Sequence, residues 1–288
     1  MPGSFGLNVE SDGETLAVRG HEVMDPRAAL LIVTGFSEHG GRYGRLAQEL
    51  GSRGYSTYVF DARGHGASTG ARGHTPSWDA LVDDLDQVIA TLESQVKLPP
   101  RRALLGASMG ALVALDWMLE HRGRMAGLAM VGPFFRAAFE PPLWKLALAE
   151  TVGKAMPSIA QPHGLKGRDM SQDLVVAAQY DADPNITRVM TASYYHAYRA
   201  AQRRLADTAP SVDFPVLLLH GGADPIASAE AAARWAEAVP QPWCEWTIYQ
   251  GLKHEVLNEF ARGRVVSDLF YWLDRHVKQH AAAPRKWT

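Results

Sequence analysis

The sequence predicts an α/β protein with a mostly parallel, twisted sheet that is covered by helices on both faces. Short continuous apolar runs, typical of strands buried on both sides, alternate with segments whose apolar residues have helical spacing. This alternation stops near residue 133 and resumes near residue 209. A chain of 288 residues is long enough for one large core with an insertion. We therefore predict two core parts, residues 1–132 and 209–288, separated by an inserted helical cap of residues 133–208.

The first part of the chain supplies strands and helices in alternation. The run Ala28–Val33 is wholly apolar, which favours a buried strand. The segment Trp78–Leu92 instead has apolar residues at helical spacing and acids at its start, which favours a helix. The predicted strands are Leu16–Val23, Ala28–Val33, Ser56–Phe60, Ala103–Leu105 and Gly127–Val131, and the predicted helices are Leu46–Gly54, Trp78–Leu92 and the run after Ser108.

The chain from Phe134 to about Thr208 shows no clear strand, and two helices are expected there, near 174–180 and 189–205. A cap is favoured because the alternation resumes afterwards; the alternative is that these helices simply belong to the core. The remaining predicted elements are the strands Phe214–His220 and Cys244–Tyr249 and the helices Ala229–Val239 and Val265–Val277.

A glycine-flanked serine, Ser108, follows a predicted strand and precedes an apolar, helix-like run. In Gly106–Gly110 the glycines suit a sharp strand-to-helix turn that leaves the serine hydroxyl exposed. The N–H of Met109 would then lie at a helix N-terminus, where it can bind an oxyanion. The pattern predicts a nucleophilic serine; the alternative is a glycine-rich turn whose serine is inert.

A serine nucleophile needs a base to take its proton and an acid to orient that base. Asp224 follows the strand that ends at His220, and His254 lies in the loop after the last predicted strand. The order serine, acid, histidine is that of doubly wound hydrolases, whose strand ends converge at one edge of the sheet. We predict the triad Ser108, Asp224 and His254, although Asp224 alone could be a turn residue or helix N-cap, and His254 a surface residue.

An oxyanion site requires a second donor, which is expected in the loop after an early strand. Thr34–Ser37 is that loop, so the backbone N–H of Phe36 is predicted to act beside that of Met109. His65 lies in a glycine-rich loop, which we expect it to brace by hydrogen bonding. No cluster of residues has metal-ligand spacing, so neither a metal nor another cofactor is expected.

Charge and composition argue against several classes of function. The formal net charge is −2, with both signs mixed along the chain, which disfavours nucleic-acid binding. Cys244 is the single cysteine, so no disulfide can form within the chain, as suits a reducing compartment. The sequence shows neither a secretory signal nor an apolar run long enough to span a membrane. These features predict a soluble, cytoplasmic protein.

Five motifs of the chain occur together: Thr34–Tyr43, Asp61–Gly70, Gly106–Gly110, Gly222–Asp224 and His254–Glu255. They resemble the monoacylglycerol lipase and lysophospholipase group of α/β-hydrolases. The first two are much more specific than the serine motif. The resemblance implies an α/β-hydrolase fold with a helical cap that carries a lipophilic acyl tunnel, and it implies the same triad.

The resemblance also implies residues that bind the alcohol end of a substrate. Glu38 and Arg42 match positions that hold a glycerol group, and Tyr180 resembles a cap tyrosine that serves the same end. An internal ion pair that braces the loop is the alternative for Glu38 and Arg42. Thr34 and Ala107 stand where the family usually has histidine, so the support of the oxyanion loop and the preferred alcohol are expected to differ.

Together the motifs predict a serine carboxylic-ester hydrolase that acts on a small lipid or ester, as a monoacylglycerol lipase or lysophospholipase does. Transient contact with a membrane surface through the cap is also expected. The first alternative is other acyl chemistry on the same triad: a general carboxylesterase, thioesterase, peptidase or acyltransferase. The second is a catalytically silent binding protein. An apolar stretch could form an acyl-binding wall, a membrane-facing lid or ordinary cap core: Phe134, Phe135, Phe139, Leu143 and Trp144.

Overall fold

An eight-stranded, mostly parallel sheet forms the centre of the protein. The structure is a computed structural model that describes residues 3–96, 98–139 and 156–279. The strands are β1 (Ser4–Ser11), β2 (Glu14–His21), β3 (Ala28–Val33), β4 (Tyr55–Phe60), β5 (Arg102–Ala107), β6 (Leu128–Val131), β7 (Ala160–Pro162), β8 (Val189–Thr191), β9 (Val216–Gly221) and β10 (Cys244–Tyr249). The helices are α1 (Gly44–Ser52), α2 (Asp79–Gln95), α3 (Met109–Glu120), α4 (Gly167–Met170), α5 (Leu174–Ala182), α6 (Ala192–Ala206), α7 (Ala229–Ala238) and α8 (Arg262–Gln279).

The central sheet has the strand order β1-β2-β4-β3-β5-β6-β9-β10, and its strands from β4 to β10 are parallel. β3 and β9 are buried at every residue, as their apolar runs predict. Successive residues of β3 face opposite sides of the sheet: Leu31 and Val33 pack into one core, and Leu30 and Ile32 into the other. The prediction of a mostly parallel sheet is confirmed.

Helices cover both faces of this sheet. α1 and α8 pack on one face, where Leu50 and Trp272 are buried, and α2, α3 and α7 pack on the other. The predicted helical layers are therefore confirmed. Among the described residues, no helix is both long and apolar enough to cross a membrane.

The N-terminal strand β1 is an element that the sequence pattern missed. It pairs antiparallel with β2 through a turn at Asp12 and Gly13, whose φ angles are 44° and 77°. Positive φ at both positions is typical of the tight Asp-Gly hairpin turn. β1 exposes alternate residues, so its polar residues give the segment the composition of a loop.

The segment between β6 and β9 contains two short strands, so the expectation of no clear strand was wrong. β7 pairs antiparallel with β8 over three residues each, which is too short for an alternating pattern to be visible. α6 begins at Ala192 rather than 189, because Thr191 caps it by accepting the N–H of Tyr194. α6 also buries Tyr198 and Leu205 in the same core as α2 and α3. That residues 133–208 form a cap stays a prediction, and Leu143 and Trp144 lie outside the described residues.

Candidate active site

Ser108 lies at the turn between β5 and α3, with φ 51° and ψ −116°. A positive φ is strained for a residue with a side chain. The flanking glycines have no room for one: a Cβ on Gly106 would lie 2.4 Å from Ala111 Cα, and on Gly110 it would lie 2.4 Å from the backbone oxygen of Thr34. Close packing of strand, helix and neighbouring loop therefore holds Ser108 in the sharp turn that the motif predicts.

Asp224 and His254 come together from the loops that follow β9 and β10. His254 Nδ1 lies 2.7 Å from Asp224 Oδ2, and both side chains are buried. The other carboxylate oxygen, Oδ1, accepts the N–H groups of Ile226 and Ala227 at 2.8 and 3.0 Å. Asp224 is thus also a turn residue, as the alternative proposed, but its second oxygen is aimed at the histidine.

Asp224 and His254 stabilise each other's charged form. Burial opposes ionisation of the aspartate, but the adjacent imidazolium and its hydrogen bond hold the pKa of Asp224 below its usual value. Burial also opposes the charged imidazole, but the carboxylate and its hydrogen bond raise the pKa of His254 above its ordinary value. Since Nδ1 is bonded to the carboxylate, Nε2 is the nitrogen left for proton exchange.

Ser108 and His254 line the same cavity, which has a volume of about 760 Å³. Phe36 and Met109 also line it, so the predicted oxyanion donors and the predicted nucleophile border one space. Its wall is mainly apolar and is completed by residues of the segment between β6 and β9, among them Phe134, Ile159, Met170, Met190 and Tyr195. The arrangement suits an apolar substrate with one reactive polar group.

The loop after β3 packs directly against the Ser108 turn. A Cβ on Gly35 would lie 3.1 Å from Ser108 Cβ, so the backbone of this loop comes close to the serine. The Phe36 ring is held edge-on by His65, His163 and Tyr194, with ring centroids 5.1, 5.5 and 4.8 Å away. Neither the Phe36 nor the Met109 N–H has a hydrogen-bond acceptor within the described part of the chain. Both donors are therefore available to an oxyanion.

Glu38 braces this loop from within. Its Oε1 accepts the N–H of Gly35 at 2.5 Å and the hydroxyl of Tyr43 at 2.9 Å. Burial and the charge of Glu255 raise the pKa of the Glu38 carboxyl. Glu38 also lines the cavity, so the residue that braces this loop is at the same time part of the cavity wall.

Arg42 pairs with Glu255 rather than with Glu38. Its Nη2 lies 2.5 Å from Glu255 Oε2, and its guanidinium lies 5.2 Å from the ring centre of Tyr180. Arg42 is not among the residues that line the cavity, whereas Tyr180 and Glu255 are. Tyr180 shares a 2.8 Å hydrogen bond with Ser37, and burial raises its pKa to about 12. Tyr180 is therefore a neutral hydroxyl on the cavity wall.

Two acidic residues of the loop after β10 were given no role by the sequence pattern. Glu255 joins Arg42 to the loop that carries His254, and Asn258 Nδ2 donates to Glu255 at 3.0 Å. Glu259 is only 1% exposed and accepts the backbone N–H of Lys253 at 2.9 Å. Glu255 directly follows His254, which is the signal that could have indicated it, but its partner Arg42 lies 213 residues away in sequence.

Two other buried histidines, His65 and His220, are uncharged. His65 braces its loop as expected: its Nδ1 lies 2.9 Å from the backbone oxygen of Arg63. Burial lowers the pKa of His65 and of His220 to about 4, so both rings are neutral at neutral pH. Within residues 3–96, 98–139 and 156–279, no group of three or more candidate ligands could hold a metal ion.

The three described residues of the predicted apolar stretch lie in three different environments. Phe134 lines the cavity. Phe135 instead stacks on Trp235, with ring centroids 4.8 Å apart, and Phe139 is 79% exposed. Of these residues, only Phe134 has the position expected of an acyl-binding wall.

Comparison with known proteins identifies relatives over most of the chain. Residues 24–261 match the family model Hydrolase_4, described as serine aminopeptidase, S33. An uncharacterized abhydrolase domain-containing protein of Dictyostelium discoideum is 28% identical over 96% of this chain, which spans only 30% of that protein's length. A monoacylglycerol lipase of Mycolicibacterium smegmatis is 29% identical over 88% of this chain and 90% of its own. A soluble variant of the monoglyceride lipase of Saccharomyces cerevisiae, solved with a substrate analog, superimposes with a TM-score of 0.85 at 21% identity, covering 96% of this chain and 97% of that one.

Proposed function

This chain belongs to the serine aminopeptidase S33 family of hydrolases, and we propose that it is a serine carboxylic-ester hydrolase of the monoacylglycerol lipase type. One observation carries the proposal: the Ser108 turn and the His254 side chain open on a single, mainly apolar cavity of about 760 Å³. Such a cavity suits a substrate with one acyl chain, and the resemblance to monoacylglycerol lipases supports that substrate class.

In the proposed mechanism, Ser108 Oγ attacks the ester carbonyl while His254 Nε2 takes the hydroxyl proton. Asp224 orients the imidazole through Nδ1 and stabilises the imidazolium. The proton then passes from Nε2 to the leaving alcohol, and an acyl-enzyme remains on Ser108. Water attacks this ester with His254 as base, which releases the fatty acid and restores the serine. No cofactor takes part in these steps.

The tetrahedral intermediate carries a negative oxygen, which the N–H groups of Phe36 and Met109 stabilise. Each such donor contributes about 3 kcal/mol in comparable sites. Glu38 holds the Phe36 donor in place through Gly35, and the rings around Phe36 restrict its movement. This network supplies the support for which the family usually has a histidine at the position of Thr34.

We place the alcohol of the substrate at the polar part of the cavity wall, beside Glu38 and Tyr180. Arg42 acts there through Glu255 and the Tyr180 ring rather than by direct contact. The acyl chain lies along the apolar wall that includes Phe134, where each buried methylene contributes about 0.8 kcal/mol. Transient membrane contact through the residues between β6 and β9 remains a prediction.

A peptidase is the second candidate, because Glu38 and Glu255 line the cavity and could hold a substrate ammonium group. Two contacts weigh against it. Glu255 is already paired with Arg42, and burial disfavours the ionised form of Glu38.

A substrate panel separates these candidates. Purified protein is assayed with monoacylglycerols from eight to eighteen carbons, p-nitrophenyl esters and aminoacyl anilides, with Ser108→Ala as the matched control. We expect hydrolysis of the monoacylglycerols, a fluorophosphonate adduct on Ser108, and neither result with the variant. Turnover of anilides alone, or the absence of labelling on folded protein, would reject the esterase assignment.

A further inference from the structure

A second cleft lies between α6, α7 and the segment after β6, and it shares no lining residue with the active-site cavity. Its volume is about 420 Å³. Four arginines and one acidic residue, Asp207, line it, so the lining carries a formal charge of +3. The whole chain has a formal charge of −2, so this cleft is a local concentration of positive charge. The arginines are Arg136, Arg199, Arg203 and Arg234.

The cleft is built on a firm framework. Residues 199, 202, 203 and 206 of α6 share one helical face, as do residues 231, 234, 235 and 238 of α7. Trp235 joins the two helices by donating its indole N–H to the backbone oxygen of Leu205 at 3.2 Å. The N–H of Ser228 donates to the backbone oxygen of Arg136 at 2.9 Å, which fixes the third side.

Two of the guanidinium groups are not neutralised by the protein. Arg136 and Arg203 are exposed, and neither forms an ion pair with any residue that the structure describes. Arg234 pairs with Glu230 across one helical turn at the surface. Such an exposed ion pair contributes little to stability, so a ligand can replace Glu230 as the partner of Arg234. Arg136 and Arg203 therefore offer charged donors that no described acidic residue neutralises.

The chemistry of the cleft favours a phosphate group. Guanidinium groups donate pairs of parallel N–H bonds, which match phosphate oxygens in spacing and plane. Phe135 and Trp235, which are buried and stacked on each other, give the remaining lining an apolar character.

We propose that this cleft binds a phosphate group, carried either by a soluble phosphate ester or by a lipid headgroup. Binding there does not depend on the proposed hydrolase activity. A hydrogen bond nevertheless connects the cleft to the wall of the active-site cavity. Gln202, which lines the cleft, donates from Nε2 to the backbone oxygen of Phe134 at 2.6 Å. Phe134 in turn lines the active-site cavity.

Calorimetric titration at constant ionic strength tests the proposal, with inorganic phosphate and glycerol 3-phosphate as soluble probes. The variant Arg136→Gln/Arg203→Gln removes the two unpaired cations. The matched control Arg45→Gln/Arg122→Gln removes the same charge from two exposed side chains outside the cleft. Since all four side chains are exposed, thermal melting should show that both variants fold.

Vesicles identify the source of the phosphate. Sedimentation with phosphatidylglycerol vesicles, and with phosphatidylcholine vesicles for comparison, reports headgroup binding. We expect saturable binding of at least one phosphate probe, weakened about tenfold or more by the cleft variant and unchanged in the control. Binding of soluble probes points to a phosphate ester, and binding of phosphatidylglycerol vesicles alone points to a headgroup. No binding of any probe, or equal losses in both variants, would overturn the proposal.

Discussion

Replacing Glu259 by glutamine tests how the loop that carries His254 is fixed. Glu259 is buried, and its Oε1 accepts the N–H of Lys253, the residue before the histidine, at 2.9 Å. The same carboxylate accepts the N–H of Gln172 at 3.1 Å and the hydroxyl of Ser171 at 3.1 Å. These last two residues lie between α4 and α5, so one carboxylate ties the histidine loop to the segment between β6 and β9.

The expected magnitude follows from these contacts. Glutamine keeps one acceptor oxygen, which can serve Lys253, but it removes the charge and presents an amide NH₂ to the remaining donors. A hydrogen bond to a buried charged group contributes about 1.5–3 kcal/mol, so Glu259→Gln should lower the free energy of unfolding by about 2 kcal/mol. Because the loop position of His254 also loosens, kcat should fall by about tenfold.

Urea denaturation measures the first quantity, and steady-state kinetics with a monoacylglycerol or p-nitrophenyl ester measures the second. Glu237→Gln, at an exposed position of α7, is the control and should change neither. A positioning role also predicts that kcat falls more than KM changes. If Glu259→Gln unfolds like the wild type and keeps its kcat, the carboxylate does not fix the loop.

Three further predictions concern the proposed triad and the turn at Ser108. Asp224 raises the pKa of His254 above 6.5, the ordinary value for histidine, and the base must be neutral to act. We therefore expect kcat/KM to fall as the pH drops through this raised pKa. In a pH–rate profile, Asp224→Asn should move this fall to lower pH. Ser108→Gly and Ser108→Ala should both abolish turnover. In urea denaturation, the glycine variant should have a free energy of unfolding about 1 kcal/mol higher than the alanine variant, because glycine adopts the φ of 51° without strain. Equal stabilities would contradict the inferred strain. Gly110→Ala should lower the free energy of unfolding by about 1–3 kcal/mol and impair activity. Gly263→Ala is the control and should leave stability unchanged, because its Cβ would meet no atom within 4 Å. Equal effects of the two substitutions would show that close packing at the turn is unimportant.

Much of the fold was predictable because its signals are local. The apolar runs of β3 and β9 predict buried strands, and the structure has them there. β1 escaped detection since one of its faces is exposed and polar. β7 and β8 escaped because three-residue strands carry no periodicity.

Some features of the candidate site were likewise predictable from local sequence signals, and others were not. The turn at Ser108 follows from glycine spacing, and the order of Ser108, Asp224 and His254 follows from where strands end. The partner of Arg42 could not be read in this manner. Glu255 lies 213 residues away in sequence, and Glu38, four residues away, was the obvious candidate.

The sequence by itself determined the layered α/β architecture, the turn at Ser108 and the candidates proposed as acid and base, because strand burial, glycine placement and strand ends leave patterns within short windows. Only the tertiary structure decided which buried carboxylate holds which loop, and it alone brought four arginines from three segments into one cleft. Contacts between residues far apart along the chain depend on how helices and loops pack over the sheet. Such packing is set by the whole core, and it leaves no periodic trace at the residues that meet.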